Sequence, residues 1–153
     1  MNTQSNVITV ESAWKKPLPN IDEDNAAFYE GLRQHRFLLW RCTKCGASHW
    51  PVCYCQSCGK NEAFAANMRW EEASGHGKIF AINRHHMAFH PGFKADIPYI
   101  YALIELDEGP LISSTIIGDK LPKDVYDIGQ PVEVVYEDHP IEGFTVPRFR
   151  IVD

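Results

Sequence analysis

No apolar run in this sequence approaches the roughly 20 residues that a membrane-crossing helix needs. Residues 1–17 also lack the apolar stretch and small-residue cleavage site of a secretory leader. Both absences point to the cytoplasm. Basic residues are outnumbered and never gather into a patch: 15 Lys and Arg stand against 20 Asp and Glu, for a formal net charge of −5 and a pI of about 5.8. That balance argues against nucleic acid as the main partner, because non-specific affinity comes largely from cations neutralising phosphates. There is no Gly-rich phosphate loop, no Gly-x-Ser-x-Gly elbow and no pair of carboxylates on a helix. The chain is therefore not expected to be a catalyst by itself. Cysteine is absent outside residues 42–58, where all five lie. A disulfide framework would spread them along the chain, whereas a metal site gathers them.

What is present favours short strands and turns. The 153 residues suffice for one ordinary domain or two small ones sharing an interface. Ten Gly, ten Pro, eight Phe, six Tyr and four Trp speak against long helices. Residues 1–20 are polar and read as an arm that lies on something else. Residues 22–35 turn helical, with Asp22 or Asp24 able to cap the start and Phe28 and Leu32 on one face; so short a helix needs docking to be stable. Residues 37–40 read as a strand leading into the first cysteine pair, and 61–68 as a loop. From Trp70 onward the pattern is all-β, with strands over 78–84, 99–106, 111–117, 132–137 and 144–151. Asp107-Glu108-Gly109-Pro110 marks a tight hairpin and Ile128-Gly129-Gln130-Pro131 another turn. Five strands in this span fit a small closed barrel of OB type. The expected division is an arm and helix (1–35), a ribbon (36–68) and a barrel (69–153).

The strongest chemical signal is the repeated unit Cys42-Thr43-Lys44-Cys45-Gly46 and Cys55-Gln56-Ser57-Cys58-Gly59. Two residues between cysteines let both sulfurs of a tight turn reach one ion, and the following glycine tolerates positive φ. Two such knuckles supply Cys42, Cys45, Cys55 and Cys58, the tetrahedral thiolate set of a closed structural zinc site. The same ligands also suit iron in a rubredoxin-like centre. Cys53 lacks a partner two residues away and a following glycine, so it is placed outside the ligand set as a packed small hydrophobe. His49 is a poorer ligand than the four well-spaced cysteines. His85, His86 and His90 occupy a loop between strands, and no carboxylate falls at a spacing that would complete a second metal site.

With these parts in order, the chain resembles a family: OB-fold, acyl-CoA-associated proteins with an N-terminal rubredoxin-like zinc ribbon. The resemblance is carried by Phe28-Tyr29-Glu30-Gly31-Leu32, Trp40-Arg41-Cys42, Pro51 and Ser74-Gly75-His76-Gly77-Lys78-Ile79. It continues through residues 98–109, Ile128-Gly129-Gln130-Pro131-Val132-Glu133-Val134 and Pro147-Arg148-Phe149, so that it runs from about Asn20 to the C-terminus. It implies a smaller, non-catalytic subunit that binds a thiolase-fold partner in a hetero-oligomer. Other members pair with thiolase-fold aldolases or associate with hot-dog-fold hydratases. It further implies that the barrel helps to hold CoA while the partner performs the carbon–carbon chemistry. CoA carries several phosphates and needs local cations. Arg84 and Lys94, flanking the histidine loop, are the candidates, with Arg148 and Arg150 behind them. One departure is that Val52 and Cys53 stand where many relatives place an arginine. Two other readings compete: a single-stranded nucleic-acid module with Phe80, Tyr99 and Tyr101 as stacking platforms, and an iron electron-transfer protein.

Overall fold

The computed structural model describes residues 5–59, 66–118 and 128–152. Two sheets account for nearly all of its regular structure. The smaller is a three-stranded antiparallel ribbon, in which β2 (Leu38–Cys42) lies between β3 (Ser48–His49) and β4 (Met68–Glu72). The larger contains β5 (His76–His85), β6 (Tyr99–Leu106), β7 (Leu111–Ile116), β8 (Pro131–His139) and β9 (Phe144–Ile151). β5 pairs with β6 and β6 with β7; a parallel step joins β7 to β9, β9 turns back onto β8, and β8 returns to β5. The sheet closes on itself as the expected five-stranded OB barrel, which leaves no long open edge.

The barrel strands follow the sequence closely. β6 alternates buried Ile100, Ala102, Ile104 and Leu106 with more exposed Tyr99, Tyr101, Leu103 and Glu105, the period of a strand with one face in a core. The hairpin between β6 and β7 closes as expected: Leu106 N donates to Pro110 O at 3.0 Å and Gly109 N to Leu106 O at 2.8 Å.

Two local expectations are corrected and a third is extended. The helix α1 spans Ala26–Arg33, with Asn25 at its N-cap, and does not start at Asp22. Asp22 instead closes a separate turn, its carboxylate accepting from Asp24 N at 3.1 Å and Asn25 N at 3.2 Å. The strand β4, with Trp70 at its centre, pairs with β2 of the ribbon, placing Trp70 opposite Trp40. The arm contributes a strand of its own, β1 (Val7–Thr9), which runs parallel to β8 with Val7 opposite Tyr136. The loop expected over 61–68 lies largely outside the described residues.

Helix, ribbon and barrel share one hydrophobic core. Phe28 and Leu32 of α1, with Phe37 and Leu39 beside and within β2, are all buried in the same cluster as Ile79, Ile104, Val132 and Phe149 of the barrel. The Phe28 ring lies 4.1 Å from that of Trp50 and 5.8 Å from that of Phe37. Phe37 in turn meets Phe149 edge-on at 6.2 Å. At the back of the joint His35, held at φ 56, brings Nε2 to 2.9 Å from Asp138 Oδ2 on β8. No helix among the described residues is long and apolar enough to cross a membrane.

Because Phe37 bridges ribbon and barrel, its loss should be felt by both. Phe37→Ala is expected to cost about 3–5 kcal/mol in urea unfolding, in a single transition by tryptophan fluorescence and by far-UV circular dichroism. Separate transitions, or a loss under about 1 kcal/mol, would contradict a shared core.

Candidate metal centre and the charged end of the barrel

The first cysteine knuckle begins at the last residue of β2, and the second follows β3. Each closes on its own backbone: Gly46 N donates to Cys42 O at 2.8 Å and Gly59 N to Cys55 O at 3.0 Å. Gly46 and Gly59 adopt φ 79 and φ 85, a region that side-chain-bearing residues rarely enter. Cys42 N is held to Ala47 O at 2.9 Å, and Thr43 N to Asn67 O at 2.7 Å, which fastens the first knuckle to the start of β4.

These restraints bring four sulfurs together. Cys45 Sγ and Cys55 Sγ lie 3.4 Å apart, Cys42 Sγ and Cys58 Sγ 3.9 Å apart, and all four within 4.8 Å of one another. A tetrahedron of thiolates at a Zn–S bond of about 2.3 Å has sulfurs about 3.8 Å apart, so the cluster has the dimensions of a four-sulfur metal site. The electrostatics favour a cation too. The Cys42 thiol is lowered to about 7, first by the backbone N–H of Cys45 directed at its sulfur. Cys58 is pushed up to about 12, first by its side-chain hydrogen bond with Cys45 and then by burial. Four sulfurs this close do not all ionise unaided; a divalent cation removes that conflict.

Among the described residues this is the one group of three or more His, Cys, Asp or Glu side chains able to share an ion. Cys53 stands apart from it and its carbonyl accepts the Trp40 Nε1–H at 2.9 Å; burial raises its thiol. His49 is buried opposite Trp40, and burial lowers its ring. The histidines of the β5–β6 connection are engaged separately. His85 stacks on Tyr99 with rings 4.9 Å apart, and His90 Nδ1 accepts from Gly92 N at 3.0 Å, capping a 3-10 turn over Pro91–Phe93.

The cations expected to meet CoA lie on different elements of the chain. Lys94 is exposed just beyond the 3-10 turn and Arg84 lies near the end of β5. Arg150 pairs with Glu133 at 2.6 Å. Arg148 is more enclosed, its Nη2 2.9 Å from Glu137 Oε1 and its Nη1 3.0 Å from Thr115 Oγ1. Glu137 also meets His139 Nε2 at 2.8 Å. Burial alone would raise the Glu137 carboxyl, but the Arg148 bond and charge, followed by those of His139, hold it below the ordinary value. This network was not legible in the sequence, where the acids read as solvated strand-edge charges.

Residues 70–137 match the family description "ChsH2, C-terminal OB-fold domain". The solved structure of the Ltp2-ChsH2(DUF35) aldolase superposes with a TM-score of 0.72 at 32% identity, covering 88% of this chain and 98% of that one. The chain belongs to the DUF35 family. Among its relatives is a probable enoyl-CoA hydratase alpha subunit from Thermomonospora curvata, 33% identical over 138 residues. Another is a DUF35 domain-containing scaffold protein from Methanocaldococcus jannaschii, 36% identical over 97 residues. Those matches take in 88% and 63% of this chain, and span only 40% and 64% of the lengths of the two relatives.

Two outcomes follow. Cys42→Ser and Cys58→Ser should each abolish metal retention and reduce soluble yield, because a closed thiolate site couples metal to folding, whereas Cys53→Ser should keep about one zinc per chain. Elemental analysis of the purified variants decides this; iron and colour in the parent, or metal loss in Cys53→Ser, would contradict it. Separately, Glu137→Leu should cost roughly 3 kcal/mol, since it strands the enclosed Arg148. The parent's own contribution from Glu137 is present above the ordinary carboxyl value of 4.5 and is lost as pH falls through the lower folded value. Urea midpoints measured between neutral and strongly acid pH should therefore fall less steeply in Glu137→Leu/Arg148→Met than in the parent.

Proposed function

We propose that this chain is a non-catalytic, zinc-stabilised subunit that scaffolds an acyl-CoA enzyme with a thiolase-fold catalytic partner. The observation that carries the reading is the correspondence with the DUF35 component of an aldolase over 98% of that component's length. Among the relatives, the scaffold protein supports the scaffolding role and the probable enoyl-CoA hydratase alpha subunit supports acyl-CoA as the substrate class. On this reading zinc occupies Cys42, Cys45, Cys55 and Cys58 and takes no part in bond making. It fixes the ribbon, and the ribbon fixes α1.

CoA would be shared with the partner. Its phosphates would be met by Arg84 and Lys94 on either side of the histidine loop. Arg148 and Arg150, already neutralised by Glu137 and Glu133, would contribute less, because an ion pair must be given up before a second anion gains much. The carbon–carbon chemistry would belong to the partner, and the complex would be a hetero-oligomer in the cytoplasm.

Co-expression with a thiolase-fold protein encoded beside it should yield a stable complex that turns over acyl-CoA, while this chain alone does not and the partner alone is inactive or insoluble. Arg84→Ala/Lys94→Ala should raise the KM for CoA several-fold and leave zinc in place. Full activity of the partner without this chain would overturn the assignment. So would single-stranded DNA binding at micromolar, salt-sensitive affinity, which would instead favour a nucleic-acid module.

A further inference from the structure

The N-terminal arm does more than pair β1 with β8. Beyond the strand it runs as a strap that joins the β5–β6 connection to the β8–β9 hairpin. Trp14 N donates to Glu142 Oε1 at 2.6 Å, and its indole stands edge-on against His139 at 4.6 Å and Phe144 at 5.1 Å. One residue on, the carbonyl of Lys15 occupies the space a Cβ on Gly92 would need. Lys16 Nζ then reaches Asp96 Oδ2 at 2.7 Å and lies 5.3 Å from the Phe93 ring. Lys16 and Asp96 also line, with Glu137 and Arg148, a cavity of about 310 Å³.

The three segments joined in this way hold most of the strongly exposed apolar side chains. Among the described residues, five large apolar side chains are more than 60% exposed, and Leu18, Met87, Phe89 and Ile141 are four of them. Leu18 follows Lys16 by two residues, Met87 and Phe89 lie in the β5–β6 connection, and Ile141 lies in the hairpin. The fifth, Ile128, stands shortly before β8 and outside all three segments. Phe89 leans edge-on against His85, the last residue of β5, at 6.0 Å. Its ring is therefore placed before any partner arrives, and loses little freedom on burial. Aromatic residues and Met are the types enriched at the centre of protein interfaces.

Charge decides what covers these side chains. Asp96 is paired with Lys16, and Glu142 accepts the Trp14 N–H, so both carboxylates of the three segments are engaged. Lys15 and Lys94 are exposed, and neither forms an ion pair among the described residues. A second copy of this chain would set these lysines against each other with no free carboxylate to meet them. An anionic lipid surface is held by clusters of about four to eight cations, whereas two free lysines stand here on a chain of net charge −5. The complement that remains is a different protein with an acidic rim.

We propose that the strap, the β5–β6 connection and the β8–β9 hairpin form the surface that docks the catalytic partner, which meets it with an apolar depression edged by carboxylates. The proposal rests on the acyl-CoA subunit reading and names the face that this reading leaves open. Met87 and Phe89 would enter the depression. Lys15 and Lys94 would face its rim, where they speed association and make it salt-sensitive.

The test co-expresses the zinc-loaded full chain with the thiolase-fold protein encoded beside it, purifies the complex without CoA and follows its dissociation on dilution by analytical ultracentrifugation. Phe89→Asp should raise the Kd at least about thirtyfold, or leave no complex to purify. Lys15→Glu/Lys94→Glu should raise it about tenfold at low salt and flatten its dependence on NaCl. Ile128→Asp should stay within about twofold of the parent. Each variant purified alone should keep its zinc and the parent's urea midpoint, because the substituted side chains are exposed. A complex as tight as the parent's in Phe89→Asp or in the lysine variant would overturn the docking surface and leave the subunit reading standing. A parent that forms no complex would overturn that reading, and the docking surface with it. Dimerisation of the chain alone that Phe89→Asp abolishes, or sedimentation of the parent with phosphatidylglycerol vesicles, would overturn the proposal in favour of a second copy or a lipid surface.

Discussion

The arrangement rests on four sulfurs being held within bonding distance of a single point. They belong to two turns of the same Cys-x-x-Cys-Gly form, one closing β2 and the other following β3. Without a shared cation the thiols repel as they ionise, and the ribbon of β2, β3 and β4 has too small a buried face to persist alone. Drawing the sulfurs together fixes the direction in which β2 leaves the site. That direction sets Phe37 and Leu39 against the barrel and seats Phe28 of α1 between Trp50 and Phe37. A metal held by the four cysteines would thus act at a distance, by orienting an aromatic joint.

The joint makes one body from three pieces of chain. A helix of eight residues is marginal in water by itself; here its buried face is completed by ribbon on one side and barrel on the other. His35 and Asp138 close the outer seam, and β1 ties the arm to the same strand, β8. A chain built this way offers a rigid surface and a fixed spacing between ribbon and barrel. Those are the properties of a scaffold that must hold a partner in one geometry.

How much of this was legible in sequence depends on whether the deciding physics is local. The cysteine knuckles are local, since ligand spacing and the following glycine state the chemistry within five residues. The barrel strands were legible because their burial alternates with period two. The start of α1 was missed because both candidate caps, Asp22 and Asp24, lie in the turn before it: the Asp22 carboxylate accepts from Asp24 N and Asn25 N, and the helix begins only at Ala26. The placement of Trp70 was missed for a different reason: β4 has strand propensity whichever sheet it joins, and its partner, β2, lies some thirty residues earlier. Least legible was the Lys16, Asp96, Glu137 and Arg148 cavity, assembled from four segments whose charges each look like ordinary surface groups when read alone.

The central claim is that the metal serves the partner interface through the fold of this chain. It is tested most directly by stripping metal from the assembled complex with a chelator, while following partner association by size-exclusion chromatography and acyl-CoA turnover in the same samples. The account predicts that association and turnover are lost together, in proportion to the zinc removed, and that re-addition of zinc restores both. A metal-free complex that stays assembled and fully active would contradict it.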